Sequence, residues 1–169
     1  MALSSTLAVA AFAELSQASG LGTGRVPAGL SRSVTLASGT GAGRADKVYS
    51  ARRTIAASGS EDLDLAGVLT DAFGASITFA KVKGLFIAAS SANTNNVIIG
   101  NATSNAWATL LNATGTITLR PGAALGVVAG AADPTTYAVT ASTGDILKVA
   151  NSAGGSTVTY DICIVGTSA

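Results

Sequence analysis

The chain has 169 residues, enough for one domain with an extension and for a real buried core. Only 11% of its residues are charged, against roughly 25% in an ordinary soluble domain, and the net charge is +1. Histidine is absent and Cys163 is the single cysteine, so the commonest general base, an internal disulfide and a cysteine-built zinc site are all excluded. The hydrophobic fraction of 48% comes mostly from alanine, and no run of about 18 apolar residues spans a bilayer. A surface this poor in charge is expected to be covered by a partner.

The opening "MALSSTLAVAAFAELSQASG" has the apolar look of a signal peptide but lacks a basic leading region. It is therefore expected to be retained, with Met1 held against something. Leu3, Leu7, Ala11 and Leu15 fit a helix, while Leu7, Val9, Ala11, Ala13 and Leu15 fit a strand equally well. Extended structure is the preferred reading. Residues 20–43 are rich in Gly, Ser and Thr and read as an arm with one short strand, "RSVTLA".

"SGTGAGRADKVYSARRT", Ser38 to Thr54, has the outline of a phosphate-cradling loop. Such a loop needs a strand before it and a helix after it, so that backbone N–H groups and the helix dipole face the phosphates. Here the Lys-Ser/Thr pair is missing, the dinucleotide spacing is missing, and a strand follows. The glycines are read instead as permitting a tight turn or a close approach of backbones. Within the strand, Arg52 and Arg53 point to opposite faces and cannot form one basic patch.

"EDLDL" alternates Asp62 and Asp64 with Leu63 and Leu65, which reads as a solvated face over a buried one rather than half a calcium site. Asp71 and Asp145 read as turn residues. In "SITFAKVKGLFIAAS", Ile77 and Phe79 share a phase with Leu85 and Ile87 while Val82 does not, which predicts a bulge near Lys83-Gly84 or two strands with a kink. "SNAWATLL" suggests a turn of helix at Trp107, a core or interface anchor. "NAT" at Asn101 and Asn112 matches a glycosylation pattern that matters only in a secreted eukaryotic chain. "TITLRPG" is a strand ending at Pro121-Gly122. "STVTYDICIV" puts Val158, Tyr160, Ile162 and Ile164 on one face, with Cys163 on the other.

Short strands with turn signals every 8–12 residues or so predict an all-β fold, a jelly-roll-like β-sandwich over residues 58–169. Residues 1–57 are expected to form an extended basic arm or β-hairpin region. Arg25, Arg32, Arg44, Lys47, Arg52 and Arg53 there face only Glu14 and Asp46, whereas acids outnumber bases from Glu61 onward. These six bases are the candidate partner contacts. No catalytic group, cofactor or metal site is expected, and neither nucleic acid nor membrane is an expected partner.

The stretch from Ser38 through "GLFI", with "RPG" and "YAVTASTGDILKVANSAGGSTVTYDICIVGTS", resembles a group of small virion proteins of tailed bacteriophages. The resemblance implies a structural role in the virion, nearest to a capsid decoration (cement) protein that bridges neighbouring major capsid protein subunits. It further implies self-association, a trimer being favoured, and a place on the capsid surface after assembly in the bacterial cytoplasm. A tail, baseplate or head-fibre component is the neighbouring expectation. A carbohydrate- or receptor-binding module is the rival of a different class.

Overall fold

The computed structural model describes residues 2–169; Met1, expected to be anchored, lies outside the described residues. In chain order the strands are β1 (Ser5–Ser19), β2 (Gly22–Ser38), β3 (Arg44–Ala45), β4 (Lys47–Ile55), β5 (Ser60–Asp64), β6 (Leu69–Thr70), β7 (Ser76–Ile77), β8 (Lys81–Ala89) and β9 (Val97–Gly100). One helical turn, α1 (Ala108–Leu111), precedes β10 (Thr116–Leu119), β11 (Ala124–Val128), β12 (Tyr137–Ala138), β13 (Ile146–Asn151) and β14 (Val158–Thr167). The fold is all-β.

The body is a sandwich of two antiparallel sheets, ordered β10-β9-β13-β5 and β11-β8-β14-β4, with β12 added to β8. Its pairings are nested. The first body strand, β4, pairs the last, β14; β5 pairs β13; β8 pairs β11; β9 pairs β10. One long two-stranded ribbon is thus rolled up, and β14·β8 and β13·β9 close the roll into two sheets. Alternating apolar residues explain why. Val158, Tyr160, Ile162 and Ile164 are all buried, as are Leu85 and Ile87 from β8, Val97 and Ile99 from β9, and Leu147 and Val149 from β13. The two sheets have to face each other to remove these rows from water.

The expected irregularity at Lys83-Gly84 is present. Val165 pairs Gly84 and Gly166 pairs Val82, so Lys83 is the extra residue of a bulge. Trp107 is a core anchor, donating its indole N–H to the Ala138 carbonyl at 2.9 Å and meeting Tyr137 edge-on. Asp71 caps its turn by accepting from the Phe73 and Ala75 amides, and Asp145 accepts from the Ser142 amide. Asn112 does likewise for Thr114 and Gly115.

Two features of the amino-terminal region differ from the sequence reading. Lys47–Ile55, placed there within an arm of residues 1–57, is a strand of the body's second sheet, held along its length by β14. Residues 20–43, read as an arm with one short strand, carry the 17-residue β2. β2 pairs β1 from Ser5↔Leu36 to Ser19↔Gly22 around a two-residue loop, Gly20-Leu21. What projects is therefore a single long hairpin. The polar composition hid the length of β2, because Ser, Thr and Gly satisfy a turn pattern as readily as an exposed strand.

A candidate contact site: the hairpin and the groove beneath it

In an antiparallel pair, directly opposed residues share a face. One face of the hairpin carries Leu7, Val9, Ala11, Ala13 and Leu15 opposite Val34, Arg32, Leu30, Ala28 and Val26. The other carries Thr6, Ala8, Ala10, Phe12, Glu14 and Ser16 opposite Thr35, Ser33, Ser31, Gly29, Pro27 and Arg25. The first face is apolar except for Arg32. The second is mostly small and polar, with Phe12 lying across Gly29 and the Arg25–Glu14 ion pair at 2.9 Å.

The apolar face is buried at its base. Leu7 and Leu36 are 5% and 2% exposed and join Ala45 and Val165 in a small second core, bordered by Leu3, Val34, Val48, Phe86, Val128 and Cys163. The seat is shaped by glycine. A Cβ on Gly84 would lie 2.7 Å from Leu7 Cδ1, and one on Gly126 would lie 2.9 Å from Val9 Cγ1. Side chains there would lift the hairpin off the sheet.

Beyond Val9 the burial stops, but the apolar pattern does not. Ala11, Ala13 and Ala28 are exposed, and Leu15, Val26 and Leu30 are 74%, 64% and 60% exposed. From Ala11 to the loop the ribbon extends by ~30 Å at about 3.4 Å per residue. A two-stranded hairpin on its own is marginally stable in water. Further exposed apolar residues, Val68 and Phe73, flank the β6–β7 turn.

Where the hairpin leaves the body it overhangs the outer face of the second sheet. This creates a groove of about 930 Å³ between Ala8–Ala10 and a floor that includes Phe86, Ala88, Ala124, Gly126 and Cys163. Arg52 and Asp161 stand in it as a bidentate pair at 2.7 and 2.9 Å. The guanidinium holds the Asp161 carboxyl below the usual carboxylate range, chiefly by those hydrogen bonds. Burial pushes the Cys163 thiol up.

The six candidate contact bases are dispersed. Arg25 and Arg32 lie on opposite faces of the hairpin, and Arg32 donates to the Ser31 carbonyl. Arg44 folds back onto the Ser38 carbonyl. Lys47, half-buried, begins β4 opposite Gly166. Arg52 and Arg53 do point to opposite faces. Arg52 binds Asp161 outside, while Arg53 reaches across the sandwich edge to Glu61 on the other sheet, where Glu61 also accepts from the Tyr160 hydroxyl at 2.9 Å. Three of the six thus serve ion pairs within the chain. The β1 half of the apolar face matches the strand alternation of Leu7, Val9, Ala11, Ala13 and Leu15, whereas its β2 half and the groove were missed in the sequence. Their signal was the apolar alternation mirrored about Gly20-Leu21.

The glycine-rich stretch forms a tight turn. Gly39 and Gly43 have φ of 130° and 65°, the Arg44 amide donates to the Gly41 carbonyl, and a strand rather than a helix follows. The turn is pinned to the body by the buried Lys83, whose ammonium donates to the Gly41 carbonyl at 2.7 Å. Asp62 is exposed and Asp64 half-buried around the buried Leu63, with Asp64 accepting from the Ala66 amide. Among the described residues no group of three His, Cys, Asp or Glu side chains is placed to hold a metal. Among the same described residues no helix is long and apolar enough to cross a membrane.

No protein family, no curated protein and no solved structure matches this chain.

Proposed function

We propose that the chain is a structural protein of a tailed-phage virion that binds the capsid and stabilises it by bridging neighbouring major capsid protein subunits. The observation that carries the reading is the projecting hairpin, whose apolar face runs unburied from Ala11 to Leu15 and from Val26 to Leu30. An exposed amphipathic ribbon on a rigid sandwich is a device for burial against a neighbour. Val68 and Phe73 add a second exposed apolar spot, and a bridging protein needs more than one contact. The nested pairing of β4·β14, β5·β13, β8·β11 and β9·β10 supports a jelly-roll reading of the body, an architecture found in capsid domains. The resemblance of the body's sequence to virion proteins points the same way. Against a glycan-binding module, the groove is lined by no tyrosine or tryptophan.

The test is co-sedimentation with particles that lack this protein. Full-length chain is expected to pellet with them. A variant in which residues 10–31 are replaced by Asn-Gly, keeping the Leu7–Leu36 base, is expected to stay in the supernatant. Equal occupancy by the shortened chain would overturn the proposal.

A further inference from the structure

The same chain carries an exposed apolar ribbon and an open apolar groove. We propose that they fill each other between copies: the distal hairpin of one copy lies in the groove of the next, so that the partner of this surface is a second copy of the chain. The proposal builds on the reading of the hairpin as the contact element and names its partner.

Continuity with an existing seat argues for this occupant. The outer face of the second sheet already accepts this hairpin face within one chain, Leu7 over Gly84 and Val9 over Gly126. The groove continues that seat along the same sheet, over Ala88, Ala124 and Cys163. The exposed strip of Ala11, Ala13, Leu15, Val26, Ala28 and Leu30 continues the same hairpin face in the same alternation. The chain's own hairpin does not fill the groove, since burial ends at Val9. A neighbour's strip supplies the missing half.

Electrostatics permit the contact. Arg52 and Asp161 in the groove neutralise each other, and the strip from Ala11 to Leu15 and Val26 to Leu30 carries no charge on its apolar face. The Arg25–Glu14 pair sits on the opposite face. Covering the groove desolvates a charge-balanced bidentate pair, whose mutual hydrogen bonds offset part of that cost, and leaves Arg32 at the end of the strip rather than within it. Donor strip and acceptor groove are different surfaces, so the contact closes as a reciprocal two-fold dimer or as a head-to-tail ring, according to the rotation between copies. Either assembly would itself be the bridge over neighbouring capsid subunits.

Cys163 lines the groove and is the single cysteine, which makes the contact directly readable. Purified chain carrying Leu15→Cys is treated with diamide without any particle present. Each disulfide formed consumes two thiols, and their two electrons and two protons pass to the diamide. Leu15 lies five residues beyond Ala10, roughly 17 Å along the ribbon, too far from its own Cys163 for the ~4.4–6.8 Å Cα separation a disulfide needs. The expected result is a ladder of covalent oligomers on a non-reducing gel, whose top rung counts the copies. Adding Cys163→Ser abolishes it, and Ser16→Cys on the polar face gives none. Leu15→Glu with Leu30→Glu weakens self-association, measured by sedimentation, on the order of 100-fold or more.

A chain that sediments as a monomer at micromolar concentration overturns the proposal. So does a covalent dimer that persists when Cys163→Ser leaves one thiol per chain, since a single disulfide between two Leu15→Cys positions shows the hairpins packing on one another. Neither result touches the co-sedimentation test, which needs particles and reports occupancy alone.

Discussion

At the scale of single residues, Tyr160 shows how the sandwich disposes of polarity. It is fully buried, and its hydroxyl reaches the sheet edge, where Glu61 accepts it beside Arg53. Burial, then the bond to Glu61, pushes its phenol far above the ordinary value. The sign follows directly. Above about pH 10 an unfolded tyrosine loses its proton while the folded one keeps it, so stability falls as pH rises through that region. Urea unfolding is expected to show this fall, with a shallower slope in Tyr160→Phe. At neutral pH the same substitution should cost about 0.5–1.5 kcal/mol with an unchanged m-value. Cys163 gives a second residue-scale expectation. Its raised pKa leaves less thiolate, so iodoacetamide should modify it more slowly than a free thiol at neutral pH.

Single residues were also where the sequence was most legible. The alternation in "STVTYDICIV" put the right four side chains inside, and the phase slip around Lys83 marked a real bulge. Both are local signals, written within ten residues or so. The roles of the arginines were less legible. Whether Arg53 faces a partner or Glu61 depends on β5 lying across the sandwich from β4, which no local pattern encodes.

At the scale of elements, the hairpin is an appendage with a rooted base and a free end. Its base is held by Leu7 and Leu36, its distal part only by its own ladder. Replacing residues 10–31 by Asn-Gly should therefore leave the unfolding free energy of the body within ~1 kcal/mol of the full chain. Hydrogen exchange should find the distal amides of the isolated, dissociated chain exchanging far faster than those of β8 and β14. Gly84→Val has the opposite geometry. It strikes Leu7 and should unseat the base, so that protection is lost at Leu7 and Leu36 while the sandwich core keeps its own. β2 was the strand least visible in the sequence, read as one short strand within a glycine- and serine-rich arm. Alanine suits helix and strand alike, and Gly, Ser and Thr along β2 read as readily as turns, so the alternation mirrored about Gly20-Leu21 was easy to overlook.

At the scale of the whole molecule, the nested pairing makes the carboxyl-terminal strand central. β14 lies between β8 and β4 and contributes Tyr160, Ile162 and Ile164 to the core. Ending the chain before Val158 should abolish cooperative unfolding, as seen by calorimetry, because both neighbours lose their ladder and the core loses a wall. Pairing of Arg52 with Asp161 spans 109 positions, and such non-local contacts should slow refolding to milliseconds or longer. The recurrence of short alternating strands and turn signals foretold an all-β chain. Strand order could not be read, since the pairing of 47–55 with 158–167 leaves no trace in either segment alone.

On the proposed reading, this chain is buried between neighbours on a particle, with its hairpin making the crossing. Imaging the virion at a resolution that resolves a sandwich and a ribbon tests it most directly. The body is expected on the capsid surface, over a junction of major capsid protein subunits, with each hairpin crossing to the next copy. Bodies confined to the tail, or hairpins standing free in solvent, would contradict it.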